Sequence, residues 1–194
     1  MAKAPLIILS GPSGSGKSTI IARLLKESGL PLRLSVSATT RPPRDYEREG
    51  VHYWFWTREQ FQKQSRAGAF LESAEVHNQW YGTLRSEVDD YRTRGIGVLL
   101  DIDVQGAAQV RSRYPDCLSI FIRTSSWEAY EQRLRKRHTE TEEKIALRLA
   151  NARHELERIN EFDHVILNDD LDSAVAQVRE LIAKTFPKGG IDAG

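Results

Sequence analysis

The sequence predicts an α/β fold whose mainly parallel central sheet is covered by helices on both faces. Three observations carry that expectation. Short apolar runs alternate with helix-like segments along most of the chain. A glycine-rich turn stands directly between the first strand and the first helix. The stretch from about Ser37 to Arg85 breaks the rhythm with consecutive β-like segments, and is expected to form a lobe of its own.

The elements follow in order. Leu6 to Ser10 (LIILS) reads as a buried strand, with a helix from about Lys17 to Ser28. Arg33 to Ala38 reads as a second, short strand. His52 to Trp56 and Phe70 to Val76 are aromatic or alternating segments. The helix between them opens at Thr57, whose spacing to Gln60 fits a capping box. Val98 to Asp103 and Leu118 to Arg123 read as buried strands. Ser125 with Glu128, and Thr139 with Glu142, mark two further helix starts, the second helix running to about Ile159. Phe162 to Leu167 is the last strand. Asp170 or Asp172 caps a closing helix that ends before Pro187, and 188–194 is expected to be a flexible tail.

Composition bounds the function. A chain of 194 residues is one compact domain with small appendages. Its 28 Lys and Arg against 27 Asp and Glu leave a net charge of +1, which argues against holding nucleic acid by bulk charge. The longest clean apolar runs, such as Leu6 to Leu9, fall far short of the roughly 20 residues of a membrane span. The N-terminus lacks the apolar core of a secretory signal. The single cysteine, Cys117, forms no internal disulfide and reads as a core residue. A cytoplasmic protein with no nucleic-acid or membrane partner is expected, as a monomer or a homodimer. The histidines show no metal-ligand spacing.

Gly11-Pro12-Ser13-Gly14-Ser15-Gly16-Lys17-Ser18 satisfies G-x-x-x-x-G-K-[ST] in the required strand–turn–helix setting. Glycines let backbone N–H groups converge on phosphate oxygens, and the helix that follows adds its positive N-terminus. Lys17 supplies charge for the terminal phosphates, and the Ser18 hydroxyl suits Mg²⁺. A nucleoside triphosphate is the expected ligand. Asp101, at the end of an apolar strand, stands where a carboxylate would hold Mg²⁺ or its water shell; capping the next helix is the other reading.

Arg41 and Arg44 lie three apart with Pro42 and Pro43 stiffening the link. Guanidinium groups on a rigid stretch suit a phosphate dianion, to which each donates in pairs. Tyr53, Tyr81 and Thr83 would add hydroxyl donors. Trp54, Phe55 and Trp56 read as the core of this lobe rather than a stacking platform.

Together these motifs resemble the guanylate kinases, of the nucleoside monophosphate kinase class of P-loop proteins. The resemblance rests on Thr39-Thr40-Arg41-x-x-Arg44-x-x-Glu47-x-x-Gly50-x-x-Tyr53-x-Phe55, Phe70-Leu71-Glu72-x-Ala74, Tyr81-Gly82-Thr83, Leu100-Asp101-Ile102-Asp103-x-Gln105-Gly106 and Val165-Ile166-Leu167-Asn168-Asp169-Asp170. It covers about residues 5–185. It implies a P-loop three-layer sandwich with a small mixed α+β acceptor-binding lobe and a helical lid. The implied division is a core of 1–36, 86–125 and 160–187, a GMP-binding lobe of 37–85 and a lid of 126–159.

It further implies Mg²⁺-dependent phosphoryl transfer from ATP to GMP, and to dGMP. Ser37, Glu72 and Asp103 fall on the guanine-reading positions. Arg41, Arg44, Tyr53 and Tyr81, with Thr83 close by, fall on the GMP phosphate. Arg133, Arg137 and Arg148 match the lid arginines that reach the transferring phosphate. Guanine offers N1–H and N2–H₂ donors on one edge, so it suits carboxylate acceptors. For Glu72 the competing reading is a solvent-facing strand residue, and for the lid arginines a solvated, salt-bridged helix pair. Two departures stand out: His138 follows the lid arginine where the family commonly has glycine, and Asp45-Tyr46 replaces a glycine-bearing turn. The alternatives are a kinase of another small phosphate acceptor and a non-catalytic interaction module of the same fold.

Overall fold

The computed structural model describes residues 3–76, 78–135 and 142–187. Strand β1 (Leu6–Ser10) is wholly buried and lies between β7 (Gly97–Asp101) and β8 (Leu118–Arg123), parallel to both. Strand β2 (Leu32–Leu34) extends the sheet beyond β7, and β9 (His164–Leu167) extends it beyond β8. The order β2-β7-β1-β8-β9 makes a five-stranded parallel sheet with β1 at its centre.

Alternation along β1 divides the core in two. Ile7 and Leu9 face α1 (Lys17–Glu27) and α7 (Leu171–Thr185), meeting Ile20, Leu24, Val178 and Ile182. Leu6 and Ile8 face the opposite side, with Val88 of α3 (Ser86–Thr93) and Val104, Ala107 and Val110 of α4 (Val104–Arg113). Covering both faces explains why these strands read as unbroken apolar runs. Among the described residues, no helix is long and apolar enough to cross a membrane.

A second sheet, of order β4-β3-β6-β5, joins β3 (Ser37–Thr39), β4 (Trp54–Phe55), β5 (Phe70–Val76) and β6 (Gln79–Leu84). Its pairings are mixed: β3 with β4 is parallel, while β3 with β6 and β5 with β6 are antiparallel. Helix α2 (Arg58–Arg66) starts at the Thr57–Gln60 capping box and buries Phe61, whose ring stacks on Phe70 at 4.4 Å. Trp54 and Trp56 pack around this small core as the sequence suggests, joined by Trp80, whereas the Phe55 ring lies outside the cluster, 5.9 Å from that of Tyr53.

Several boundaries differ from expectation. Arg33 to Ala38 is not one strand: β2 belongs to the first sheet and β3 to the second, with the crossing at Ser35–Val36. The alternation of Leu32 to Ala38 continues through the crossing, so nothing in the pattern marks it. Strand β6 carries no strand signal of its own because Gly82 interrupts it. That glycine is required, since a Cβ there would lie 2.7 Å from the Phe70 ring. Helix α3 starts after Arg85 without a side-chain cap, so the Ser86-x-x-Asp89 spacing does not act as a capping box there. Helix α5 (Trp127–Arg135) is capped by Ser126, whose hydroxyl accepts from Ala129 N–H, rather than by Ser125. The expected cap at Thr139 lies outside the described residues. Helix α6 (Glu142–Glu157) ends in a 3₁₀ turn at Ile159–Glu161. Asp170, not Asp172, caps α7. Cys117 is half-buried, and burial pushes its thiol up to about 11.

Candidate active site

The glycine-rich turn leaves β1 at the carboxyl edge of the sheet and enters α1. At Gly11, with φ of 132°, a Cβ would lie 2.1 Å from the Ile122 carbonyl oxygen. At Gly16, with φ of 91°, a Cβ would lie 2.2 Å from Asn168 Nδ2. Both positions therefore exclude a side chain on sterics as well as on backbone conformation. The turn is held from behind. The buried Asn168, at the end of β9, donates its amide to Ser15 O at 2.7 Å, and its own N–H bonds Arg123 O at 2.7 Å. Arg133 of α5 donates to Asn168 O at 2.9 Å and reaches Ser15 O at 3.4 Å. Lys17 Nζ bonds Gly11 O, and Ser18 is exposed at the start of α1.

Two carboxylates follow β7. Asp101 opens towards the cleft yet stands among crowding protein atoms; this desolvation raises its carboxyl above the usual range, and the Lys17 charge opposes the rise. It is not the cap of α4. That role belongs to Asp103, whose Oδ1 accepts from Gln105 N–H at 2.9 Å and Gly106 N–H at 2.8 Å. The reading of Asp101 as a simple helix cap is thereby removed.

Glu72 is only 5% exposed, which overturns the solvent-facing alternative. Its Oε1 accepts from both Thr83 N–H at 2.8 Å and Thr83 Oγ1 at 2.7 Å. Burial pushes the Glu72 carboxyl up to about 7; the Thr83 bonds pull against this and the Asp103 charge adds to it. Ser37 Oγ lies 3.4 Å from Thr83 Oγ1. Ser37, Tyr53, Glu72, Tyr81 and Asp103 all line one pocket of about 170 Å³, whereas Arg41, Arg44 and Thr83 are not among its lining residues. Burial pushes the Tyr53 hydroxyl up to about 12, leaving it a neutral donor.

This pocket adjoins a larger cleft of about 820 Å³, lined by Gly11, Ser13, Lys17 and Asp101 on the sheet side and opposite by Arg148 and Glu155 of α6 and by Arg158 just beyond it. Arg41 donates to Glu47 Oε1 at 2.8 Å, and Arg44 N–H donates to Glu47 Oε2 at 2.8 Å. The Arg41 guanidinium lies 5.6 Å from the Tyr53 ring centre. The Glu47 side chain is 4% exposed, and the Arg41 bond holds its carboxyl below the usual range. One buried carboxylate thus orients the whole arginine turn. Arg44 also bonds Tyr46 Oη at 2.9 Å, so the Asp45-Tyr46 departure supplies a contact of its own. Arg137 and His138 lie outside the described residues.

Sequence reasoning gave no role to Glu47, Asn168 or Glu155. Glu47 was visible three residues after Arg44, but nothing local shows that it turns inward. Glu155 faces Lys17 and Asp103 across the cleft, and desolvation raises its carboxyl.

The family model for guanylate kinase matches residues 3–185. The chain belongs to the guanylate kinase family. A guanylate kinase of Fusobacterium nucleatum is 45% identical over 182 residues, covering 94% of this chain and 97% of its own. One from Rickettsia bellii is 44% identical over 186 residues, covering 96% and 97%. The crystal structure of guanylate kinase from Anaplasma phagocytophilum superposes with a TM-score of 0.78 at 30% identity, over 98% of this chain and 90% of that one. The parallel sheet, the second mixed sheet and the seven α-helices among the described residues are the guanylate kinase α/β fold.

Proposed function

We propose that this guanylate kinase family member transfers the γ-phosphoryl group of ATP to GMP or dGMP, giving ADP and the guanosine diphosphate. The supporting observation is the small pocket in which Glu72 and Asp103 converge beside the Lys17 cleft. Guanine N1–H and N2–H₂ donate to these carboxylates, while the Ser37 and Thr83 hydroxyls lie nearby. Adenine, with an acceptor at N1, leaves a buried carboxylate unpaired, which costs about 1–3 kcal/mol or more. The second sheet acts as the GMP-binding lobe, and 126–159 acts as the lid.

A GMP phosphate oxygen is already anionic at neutral pH, so it attacks the γ-phosphorus without a general base. The new P–O bond forms as the bond to the β-phosphate oxygen breaks. The remaining problem is repulsion: like charges ~4 Å apart repel by ~4 kcal/mol at an effective dielectric near 20. Arg41, Arg44, Tyr53 and Tyr81 hold the acceptor phosphate. Lys17 and the turn from Gly11 to Ser18, Pro12, Ser13 and Gly14 included, hold the donor phosphates. Arg137 and Arg148 neutralise the group in flight and exclude water when the lid closes, and Arg133, which braces Ser15 O and Asn168 O here, joins them only by leaving those bonds.

Among the described residues no cluster of three or more His, Cys, Asp or Glu could by itself hold a metal. That suits Mg²⁺, which is usually held by one or two protein oxygens together with substrate phosphates and water. Ser18 and Asp101 would hold it, and it would neutralise charge on the β- and γ-phosphates. A cytoplasmic location, where ATP and GMP are both present, fits this reading.

Asn168→Ala is expected to raise KM for ATP about tenfold, because Ser15 O loses its buried donor, with KM for GMP little changed. Steady-state kinetics with each substrate varied checks this. The activity itself is tested by product analysis after mixing protein, Mg²⁺, ATP and GMP. ADP and GDP in equal amounts are expected. ADP without GDP would make the protein an ATPase; no product from folded, ATP-binding protein would point to another acceptor or to the interaction module.

A further inference from the structure

Glu72 and Asp103 come from different sheets, and something must fix the distance between them. Glu72 rides on β5, the edge strand of the second sheet, while Asp103 caps α4, which packs on the first. Helix α4 presents Gly106, Gln109 and Arg113, spaced three and four apart and so on one face, to the open edge of β5. Gln109 grips the backbone of Ser73, the residue after Glu72, through both ends of its amide. Oε1 accepts from Ser73 N–H at 3.2 Å, and Nε2 donates to Ser73 O at 2.9 Å. The amide thus takes the place of a missing neighbouring strand.

Arg113 donates to Leu71 O, on the other side of Glu72, and reaches Phe70 O at 3.4 Å. The β5–β6 register shifts between Phe70 and Glu72. Phe70 enters the core of the small lobe, and Leu71 enters the main core. At Gly106 a Cβ would lie 2.8 Å from Glu72 Oε2, so the carboxylate rests directly against the helix whose first turn Asp103 caps.

We infer that Gln109 and Arg113 are positioning residues for acceptor selection: they pin β5 to α4 on both sides of Glu72 and set its carboxylate in register with Asp103. The inference rests on the proposed guanine-reading role of this pair. Neither side chain lines the base pocket, so their effect reaches the base only through Glu72. Loosening the clamp lets Glu72 shift relative to Asp103, so the two carboxylates no longer meet N1–H and N2–H₂ together.

The experiment compares kcat/KM for GMP and for IMP, which lacks the 2-amino group, in wild type, Gln109→Ala, Arg113→Ala, Arg113→Lys and Glu72→Gln. Gln109→Ala and Arg113→Ala are expected to lower the GMP:IMP ratio at least about fivefold through KM for the acceptor, with KM for ATP within twofold of wild type. Arg113→Lys, which keeps a donor for Leu71 O, is expected to recover most of the ratio. A purely structural role would lower the active fraction for both acceptors equally and leave the ratio alone; that result overturns the inference. Should Gln109→Ala fail to fold, Gln109→Glu keeps the acceptor for Ser73 N–H but sets a charged oxygen against Ser73 O in place of the donor, and the same fall in ratio is expected of it. A wild-type ratio in the Gln109 and Arg113 variants beside a reduced one in Glu72→Gln overturns the clamp alone. An unchanged ratio in Glu72→Gln overturns the base-reading role and the clamp with it.

Discussion

Replacing Lys17 with alanine is expected to lower kcat for GMP phosphorylation by at least about a hundredfold, the scale on which one preorganised charge acts on a developing charge. The loss has two parts. The ammonium that follows the terminal phosphates disappears. In addition, Lys17 is the cation whose charge opposes the desolvation of both Asp101 and Glu155. Without it the cleft presents carboxylates to a triphosphate, and binding suffers as well as turnover. The side chain lies in the cleft, not in the core, so circular dichroism and the unfolding midpoint should stay close to wild type. Turnover within about threefold of wild type would remove Lys17 from the mechanism.

Glu72→Gln is expected to reduce kcat/KM for GMP about a hundredfold while leaving KM for ATP unchanged, the range expected for hydrogen bonds to a charged group. The substitution keeps an acceptor for Thr83 but turns one oxygen facing the base into a donor. The pH profile provides the sharper test. Because burial holds the Glu72 carboxyl up at about 7, kcat/KM for GMP in the wild type should fall as pH drops through that value. The neutral acid then meets guanine N–H donors with a donor of its own. Glu72→Gln should lack this step. The second ionisation of the GMP phosphate, near pH 6, acts on both proteins alike, so their difference isolates Glu72.

Stability should move the other way. A carboxyl whose folded pKa exceeds its usual value holds a proton that the unfolded chain has released. Stability therefore falls as pH rises from about 4.5 through about 7. Removing that burden should make Glu72→Gln more stable than wild type at pH 8, by on the order of 3 kcal/mol. Thermal unfolding at pH 5 and pH 8 checks the sign: the two proteins should diverge only at the higher pH.

What could be read in advance follows from how local each signal is. The turn from Gly11 to Ser18 announces itself because strand, glycines, lysine and helix are contiguous. The burial of β1, β7 and β8 shows in their apolar runs, and the Thr57 capping box shows in its spacing. Glu72 and Asp103 could be named only through the family resemblance; their meeting depends on the chain passing from the first sheet to the second at Ser35–Val36, where the sequence pattern does not change. Whether Asp101 or Asp103 caps α4 depended on the backbone turning after β7, which composition does not encode. Glu47, Asn168 and Gln109 were silent for one reason: each acts on backbone or on an arginine brought near by the fold.

The measurement that tests the account most directly is ADP release with ATP and Mg²⁺ across GMP, dGMP, AMP, CMP and UMP at equal concentration. The buried Glu72 and the part-buried Asp103 facing the acceptor base predict turnover with GMP and dGMP, and rates at least about a hundredfold lower with the other three. Comparable turnover with AMP would contradict the base-reading role of Glu72 and Asp103.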